Sequence, residues 1–247
     1  MDTVFTLPHR SAAPGNGTAL ASAGYGPSAA LFNGLRRFGT AFAAASLAVF
    51  LTLFLTVSAP AAAGDRTILA LGDSLTAGYG LAVQDGFPSR LEAALRARGV
   101  AARVVNAGVS GDTSAGGLGR LDWLTAEKPD LVIVELGAND GLRGLDPAET
   151  RRNLDAILSR TKNGGTPVLL TGMQAPPNLG REYADAFNEI FPQLAKQHKV
   201  PLYPFFLEGV AARPDLNLSD GLHPNEKGVK VIVDRILPYV LQALGEQ

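Results

Sequence analysis

Between residues 67 and 206, short apolar runs alternate with segments whose apolar residues recur at helical spacing. Five runs have the length of a strand, and they lie at 67–71, 102–106, 131–136, 168–170 and 202–206. The run at 131–136 is apolar almost throughout, as in a strand that helices cover on both faces. Strands that alternate with helices form a parallel sheet with helices on both of its faces. The sequence therefore predicts an α/β fold with a central parallel sheet of five strands.

The first three predicted strands each lead into a loop of glycines and small polar residues. The first loop contains Gly72 and Ser74, the second contains Gly111, and the third contains Asn139. The carboxyl ends of parallel strands meet at one edge of a sheet, which is where open α/β sheets bind their ligands. We therefore expect the functional site at this edge.

Ser74 is the candidate nucleophile of this site. A serine hydroxyl reacts poorly unless a base takes its proton. Among the three histidines of the chain, only His223 has a carboxylate placed to orient it, that of Asp220 three residues earlier. The pattern predicts acyl transfer by these three residues. The backbone N–H groups of Ser74 and Gly111 and the side-chain amide of Asn139 are the expected oxyanion donors.

The other polar residues near these loops have structural roles in this interpretation. Asp73, Asp112 and Asp140 are expected to cap helices or to bind nearby backbone N–H groups. His198 stands at the end of a helical pattern and is expected to be solvated. His9 belongs to the N-terminal leader.

The first 63 residues differ from the rest of the chain. They begin with a stretch rich in Gly, Ala, Ser and Pro, which predicts disorder. Arg36 and Arg37 then precede an uncharged apolar run at 41–57, and small residues follow at 59–63. A positive region, an apolar core and a small-residue site together are typical of a secretory signal.

These features predict a leader at 1–63 and one catalytic domain at 64–247. Cleavage of the leader would leave a periplasmic or secreted protein. The alternative is an uncleaved anchor in the inner membrane formed by 41–63, because this segment could nearly span a bilayer. Membrane contact is expected only through such a leader, and we expect the protein to be a monomer.

Charge and composition exclude several classes of function. The net charge is −1, and no segment concentrates lysine and arginine as nucleic-acid binding requires. Cysteine is absent, which excludes disulfides and thiolate metal sites. No cluster of His, Asp and Glu has the spacing of metal ligands, so no metal and no cofactor are expected. The expected partner is a small molecule.

Four ordered blocks of this chain resemble those of the SGNH, or GDSL, hydrolases. They are Gly-Asp-Ser-Leu at 72–75, Gly111 within 110–114, Asn139 within 137–140, and Asp220-x-x-His223. The resemblance implies a three-layer α/β/α fold of the flavodoxin-like type. It also implies Ser74, Asp220 and His223 as the triad and Ser74, Gly111 and Asn139 as the oxyanion hole.

Two longer segments, 135–144 and 173–178, resemble the periplasmic thioesterase I/lysophospholipase/arylesterase branch of this family. The resemblance implies a serine esterase that hydrolyses carboxylic esters and thioesters, including those of acyl-CoA, aryl alcohols and lysophospholipids. The common glycine-glycine-asparagine of that branch is Gly137-Ala138-Asn139 here, and we expect this departure to leave catalysis intact.

Apolar residues flank the predicted pocket. Leu142, Pro176 and Leu179 are expected to line a groove for the acyl chain, which favours linear acyl and aryl esters as substrates. One alternative is a carbohydrate O-deacetylase on the same fold. The other is a non-catalytic surface binding module, although a binding module has no need for a serine, an aspartate and a histidine in this pattern.

Overall fold

A computed structural model describes residues 65–246 of the chain. The expected leader at 1–63 lies outside the described residues. One sheet contains β1 (Arg66–Gly72), β2 (Ala102–Gly108), β3 (Leu131–Glu135), β4 (Val168–Thr171) and β5 (Leu202–Tyr203). Its strand order is β2-β1-β3-β4-β5, and each neighbouring pair is parallel. The predicted five-stranded parallel sheet is confirmed.

Helices cover both faces of this sheet and complete a three-layer α/β/α sandwich. They are α1 (Ser74–Ala77), α2 (Phe87–Ala97), α3 (Ser114–Thr125), α4 (Ala138–Leu142), α5 (Pro147–Asn163), α6 (Arg181–Asn188), α7 (Ile190–His198) and α8 (Glu226–Leu244). Helix α2 contacts α8, whereas α5 contacts α3 and α7. Among the helices of residues 65–246, none is both long enough and apolar enough to cross a bilayer.

Aliphatic strand residues and four phenylalanines form the core. All five residues of β3 are buried, as expected for a strand covered on both faces. Phe87 and Phe206 meet edge to face with their ring centroids 5.1 Å apart, and Phe187 and Phe191 meet similarly at 5.7 Å. Each of these rings is at most 1% exposed. These aromatic pairs join α2 to the segment after β5, and α6 to α7, within the core.

The last strand is shorter than the sequence pattern predicts. We expected it at 202–206, but β5 contains only Leu202 and Tyr203. Pro204 follows them and has no N–H to donate to the sheet, so regular pairing ends there. Phe206 still donates its N–H to the carbonyl of Gly172 at 2.9 Å, and its side chain is buried.

The helical pattern around Phe187 and Phe191 is divided into two helices, α6 and α7, although it predicts a single long one. Pro192 lies in the first turn of α7. A continuous helix would need its missing N–H to bind the carbonyl of Asn188, and proline is tolerated only in a first turn. Apolar spacing therefore predicts which residues face the core, but it does not predict the break that proline imposes.

The order in which successive strands are added to the sheet reverses at β1. The chain places β2 on one side of β1 and β3 on the other, so the loops after β1 and β3 diverge and leave a crevice between them. Gly72 pairs with Gly108 of β2 and with Glu135 of β3. These three residues form the last row of the sheet below the crevice.

Gly108 allows the end of β2 to contact the short helix α1. A Cβ atom added at Gly108 would lie 2.2 Å from the backbone nitrogen of Ala77 and 2.8 Å from the carbonyl oxygen of Asp73. Backbone atoms cannot move aside as a flexible side chain does. The position of α1, which begins with Ser74, therefore depends on a glycine at this point.

We expect Gly108→Ala to destabilise the protein by about 1–3 kcal/mol, the usual penalty for overpacking. Gly119→Ala is the matched control, because Gly119 lies in α3 and an added Cβ there meets nothing within 4 Å. Alanine should stabilise that helix by about 0.5–1 kcal/mol. Urea unfolding measures both free energies, and equal effects of the two substitutions would contradict the proposed contact.

Candidate active site

Ser74 is the first residue of α1 and lies directly above the end of β1. Asp73 caps this helix, because its Oδ1 accepts a hydrogen bond from the N–H of Leu75 at 2.9 Å. Gly78 ends the helix with a φ of +81°, a conformation that favours glycine. A single helical turn, closed at both ends, therefore presents the hydroxyl of Ser74 at the edge of the sheet.

The structure brings Ser74, His223 and Asp220 together. Nε2 of His223 lies 2.9 Å from Oγ of Ser74, although 149 positions separate the two residues. Nδ1 of the same ring lies 2.7 Å from Oδ2 of Asp220. With the proton on Nδ1, the imidazole can accept the proton of the serine while the carboxylate holds the ring in this orientation.

The turn that contains His223 is closed by its own backbone. The N–H of Leu218 donates to the carbonyl of His223 at 2.7 Å. Oδ1 of Asp220 accepts from the N–H groups of Leu222, at 2.9 Å, and His223, at 3.0 Å. These backbone donors, together with the imidazole, lower the pKa of Asp220 to about 2. Asp220 therefore remains a carboxylate throughout the range in which a histidine base operates.

Gly111 lies in a tight turn after β2. The N–H of Asp112 donates to the carbonyl of Val109 at 3.0 Å, and Gly111 has a φ of +83°. This is the turn position at which a left-handed conformation requires glycine. Within residues 65–246, the N–H of Gly111 and that of Ser74 have no hydrogen-bond partner. Both N–H groups are therefore available to an oxyanion.

Asn139 belongs to α4, above the end of β3. Gly137 precedes this helix with a φ of +116°, whereas Ala138 is not among the residues with positive φ. The backbone therefore needs glycine only at position 137, which explains why alanine is accommodated at position 138. Nδ2 of Asn139 donates to Oδ2 of Asp73 at 3.1 Å, so one amide N–H is held and the other is left for a ligand.

Comparison with known proteins shows the family of this chain. The family model of the GDSL-like Lipase/Acylhydrolase family matches residues 70–231. That match includes Ser74, Gly111, Asn139, Asp220 and His223. The chain belongs to the GDSL-like lipase/acylhydrolase family. Membership makes it a hydrolase of ester bonds.

Individual relatives match between 72% and 78% of the chain. An arylesterase of Vibrio mimicus is 41% identical over 78% of this chain and 97% of its own. Thioesterase 1/protease 1/lysophospholipase L1 of Escherichia coli K12 is 43% identical over 74% of this chain and 86% of its own. The crystal structure of AlinE4, an SGNH-hydrolase family esterase, is 51% identical with a TM-score of 0.62, and the match covers 72% of this chain and 96% of AlinE4.

The three residues expected to form the acyl groove of this GDSL hydrolase lie on two neighbouring segments. Leu142 ends α4 and is 54% exposed. Pro176 and Leu179, both half-buried, belong to the loop after β4. The two segments are in contact, because Cβ atoms added at Gly141 and Gly144 would lie 3.4 Å from Pro176 and 3.7 Å from Leu179. The loop after β4 therefore lies against the helix that contains Asn139 and Leu142.

Arginines connect the loops of the site, a role that the sequence reading missed. Arg120 of α3 donates to the carbonyl of Gly72 at 2.9 Å, to the carbonyl of Ala107 at 2.6 Å and to Asp112 at 2.8 Å. Arg143 donates to the carbonyl of Gly111 at 2.8 Å. The contacts of Arg120 with Gly72 and of Arg143 with Gly111 join residues that lie 48 and 32 positions apart, so no local pattern could reveal them.

Asp140 and Asp73 have the roles expected of them, whereas the side chain of Asp112 accepts from Arg120 and Thr113 caps the helix that follows. Asp140 accepts from the N–H of Ser114 at 2.9 Å and also binds the hydroxyls of Ser114 and Thr150. It thereby ties α4 to α3 and α5. Asp112 pairs with Arg120, and Asp73 caps α1 as described above.

His198 differs from the expectation of a solvated side chain. It ends α7 as predicted, but its side chain is only 11% exposed and its Nε2 lies 2.6 Å from Oδ1 of Asp155 on α5. Packing between the two helices explains this burial. His9 lies outside the described residues. Within residues 65–246, no group of three or more His, Asp and Glu side chains could hold a metal ion.

Two buried carboxyl groups, those of Asp73 and Glu135, lie beneath Ser74. Glu135 ends β3 with a side chain that is 1% exposed, next to the equally buried Asp73. Burial raises the pKa of Asp73 to about 6. Burial and the charge of Asp73 raise the pKa of Glu135 well above its ordinary value. Glu135 therefore retains its proton at a pH at which an exposed glutamate is ionised.

This buried proton should make stability depend on pH. Above about pH 4, unfolding exposes Glu135 and releases its proton, so the unfolded state binds fewer protons than the native state. The contribution of Glu135 to the free energy of unfolding then falls as pH rises, by up to about 1.4 kcal/mol per pH unit. This fall ends once the pH passes the pKa of Glu135 in the native state. Glutamine does not titrate, so Glu135→Gln should gain stability relative to the parent protein as pH rises.

Urea unfolding at a series of pH values from mildly acidic to neutral measures this difference. The exposed Glu182 provides the control, and Glu182→Gln should leave the stability curve parallel to that of the parent protein. Parallel curves for Glu135→Gln would mean that Glu135 is ionised in the native state.

Proposed function

We propose that this GDSL-family hydrolase is a serine esterase that cleaves carboxylic esters and thioesters by way of an acyl-enzyme on Ser74. The single observation that carries this proposal is the line of contacts from Ser74 Oγ to His223 Nε2, at 2.9 Å, and from His223 Nδ1 to Asp220 Oδ2, at 2.7 Å. Nucleophile, base and orienting carboxylate are within hydrogen-bond distance in the required order.

The first step transfers the acyl group to the enzyme. Oγ of Ser74 attacks the carbonyl carbon while Nε2 of His223 takes the hydroxyl proton. The resulting imidazolium is stabilised by the carboxylate of Asp220, whose low pKa keeps it charged. When the tetrahedral intermediate collapses, the bond to the alcohol or thiol breaks and His223 returns the proton to that leaving group.

The second step repeats this chemistry with water. His223 removes a proton from a water molecule that attacks the acyl carbon, and the bond to Ser74 Oγ breaks. The proton passes back to the serine, and the carboxylic acid leaves. Each proton taken is returned, so the cycle needs no metal and no redox partner.

The oxyanion of both intermediates would bind to three donors. The N–H groups of Ser74 and Gly111 have no partner within the described part of the chain, and Asn139 has one amide N–H left after its bond to Asp73. Donors already held in place stabilise the developing charge without reorganising. The bond from Arg143 to the carbonyl of Gly111 supports this arrangement.

The proposed substrate class rests on three apolar residues, one at the end of the helix that contains Asn139 and two in the loop beside it. Leu142, Pro176 and Leu179 offer an apolar surface suited to a linear acyl chain or an aryl group. The relatives named arylesterase and thioesterase 1/protease 1/lysophospholipase L1 support the same range of substrates. We therefore assign aryl esters and acyl thioesters as substrates.

The leader completes the proposal. The positive pair, the apolar run and the small residues at 59–63 make cleavage and export the preferred course, which would leave a domain beginning at Gly64 in the periplasm or outside the cell. Mass spectrometry of the protein recovered from cells distinguishes this from an anchor at 41–63, because an anchored protein retains that segment.

We expect Ser74→Ala to lower kcat by on the order of 10⁶-fold, because the nucleophile is lost while the fold is kept. Ser219→Ala is the matched control, since Ser219 is exposed on the turn before Asp220 and contacts neither the imidazole nor the nucleophile. Hydrolysis of a p-nitrophenyl ester measures both. Comparable activity in Ser74→Ala and the parent protein would remove Ser74 from the mechanism.

Labelling by a fluorophosphonate provides a second readout of the same prediction. The parent protein and Ser219→Ala should be labelled, and Ser74→Ala should not. A non-catalytic binding module would remain unlabelled in every form, so this result separates the hydrolase from that alternative.

Substrate preference should depend on the apolar groove. We expect kcat/KM to increase with acyl chain length in a series of p-nitrophenyl esters, and Leu142→Ser to lower it by roughly 3- to 10-fold for long chains but little for acetate. Trp123→Gln is the control, because Trp123 is an equally apolar and 80% exposed side chain on α3, away from these loops. Activity confined to acetylated sugars would favour the O-deacetylase instead.

A further inference from the structure

Glu135 is a charged residue type at the end of an otherwise apolar strand, and its side chain is 1% exposed. Its Oε2 accepts a hydrogen bond from the hydroxyl of Thr76 at 2.8 Å and from the N–H of Asp73 at 3.3 Å. Both donors belong to the turn that presents Ser74. The glutamate therefore lies directly beneath the nucleophile without touching the reacting atoms.

The second oxygen of this carboxyl shows what form the group takes. Oε1 of Glu135 has no donor among the described residues. The N–H of Asp73 donates to Oε2 of the same carboxyl at 3.3 Å, so Asp73 adjoins this group, and a bond between the two carboxyl groups would give Oε1 the partner that it lacks. Two carboxylates only accept hydrogen bonds, so such a bond exists only when one of them has a proton.

The partners of Asp73 determine which group is protonated. Its Oδ1 accepts from the N–H of Leu75 and its Oδ2 from the amide of Asn139. Two donors favour the ionised form of Asp73. Glu135 accepts both of its bonds on Oε2, from Thr76 at 2.8 Å and from the N–H of Asp73 at the longer distance of 3.3 Å, and its buried Oε1 has no donor among the described residues, which favours its neutral form.

We propose that Glu135 is a positioning residue for ester hydrolysis, acting as a neutral acid that donates a hydrogen bond to Asp73 and thereby fixes the amide of Asn139. This inference rests on the proposed function. The carboxylate of Asp73 is held by the acid of Glu135 and by the N–H of Leu75. It is then fixed in the orientation in which its Oδ2 accepts a hydrogen bond from Nδ2 of Asn139. That bond directs the remaining N–H of the amide toward the oxyanion.

Other charges around the pair agree with this assignment. Burial raises the pKa of both acids, but the charge of His223 opposes this rise at Asp73, whereas the charge of Asp73 adds to it at Glu135. Both effects place the negative charge on Asp73 and the proton on Glu135. The imidazolium that forms during catalysis would strengthen the same distribution.

Two substitutions separate this role from mere filling of space. Glu135→Gln keeps the size of the side chain and an N–H that can donate to Asp73. Glu135→Met keeps a similar length but has no donor. We expect Glu135→Met to lower kcat by on the order of 10- to 100-fold with little change in KM, approaching the effect of removing one oxyanion donor. Glu135→Gln should recover most of that loss.

The rate is expressed per active site titrated with a fluorophosphonate, so that misfolded protein does not enter the result. Thr161→Val is the matched control, because it removes a buried hydroxyl that bonds only within α5, to the carbonyl of Ile157. It should lower the melting temperature without lowering kcat. An unchanged kcat per titrated site in Glu135→Met would overturn the positioning role, and equal losses in Met and Gln would overturn the neutral-acid form.

Infrared spectroscopy tests the proton without relying on turnover. The parent protein at neutral pH should show the C=O stretch of a buried protonated carboxylic acid, and Glu135→Gln should lack it. Absence of this band from the difference spectrum would overturn the inference. Failure of the proposed function has a different signature, namely that the parent protein itself neither hydrolyses esters nor reacts with the fluorophosphonate.

Discussion

The last row of the sheet, in which Gly72 lies between Gly108 and Glu135, is the constraint on which the site depends. Parallel strands paired in this register end at one level, so the loops that follow them begin side by side. The glycines make the row compact. A Cβ at Gly72 would lie 2.0 Å from the hydroxyl of Thr76, and one at Gly108 would overlap the backbone of α1. A bulkier row would push the helix that begins with Ser74 away from the carboxyl pair beneath it.

The histidine reaches this row by a separate route. The turn that contains His223 is closed in two ways. The N–H of Leu218 donates to the carbonyl of His223, and Asn217 forms an antiparallel bridge with Pro224. The amide of Asn217 binds the carbonyl of Val210 at 2.8 Å and fixes the base of the turn. The imidazole of His223 then contacts two residues that follow β1. Its Nε2 lies within hydrogen-bond distance of the Ser74 hydroxyl, and its ring centroid lies 4.4 Å from that of Tyr79. Two locally rigid parts thus meet through a small contact, which explains how distant residues reach hydrogen-bond distance.

Much of this arrangement could be predicted from the sequence, because local patterns encode it. Strand-length apolar runs gave the sheet, and small-residue loops after those runs gave Ser74, Gly111 and Asn139. Contacts between segments could not be read in this way. Glu135 was counted within an apolar run, although a carboxyl group in a fully buried strand is itself a signal that a partner must exist. The links made by Arg120 and the pairing of His198 join residues that no periodicity connects. The short β5 and the divided helix have another cause. Pro204 and Pro192 lack the N–H that a longer strand or a continuous helix would need, although the apolar pattern continues past them.

Burial of two acids beneath a nucleophile is difficult to explain by stability alone. Burying a carboxyl group is unfavourable unless it is hydrogen-bonded, and one proton shared by the pair reduces but does not remove that penalty. An apolar residue at position 135 would pack in the same place without the penalty of burying a carboxyl group. Such a residue would, however, leave Asp73 without the bond that we propose from Glu135, and under the proposed mechanism a displaced amide of Asn139 would cost one oxyanion donor, a loss that typically lowers kcat by about 10²- to 10³-fold. A local loss of stability retained beside a reacting group is the expected result of selection for activity above a threshold of stability.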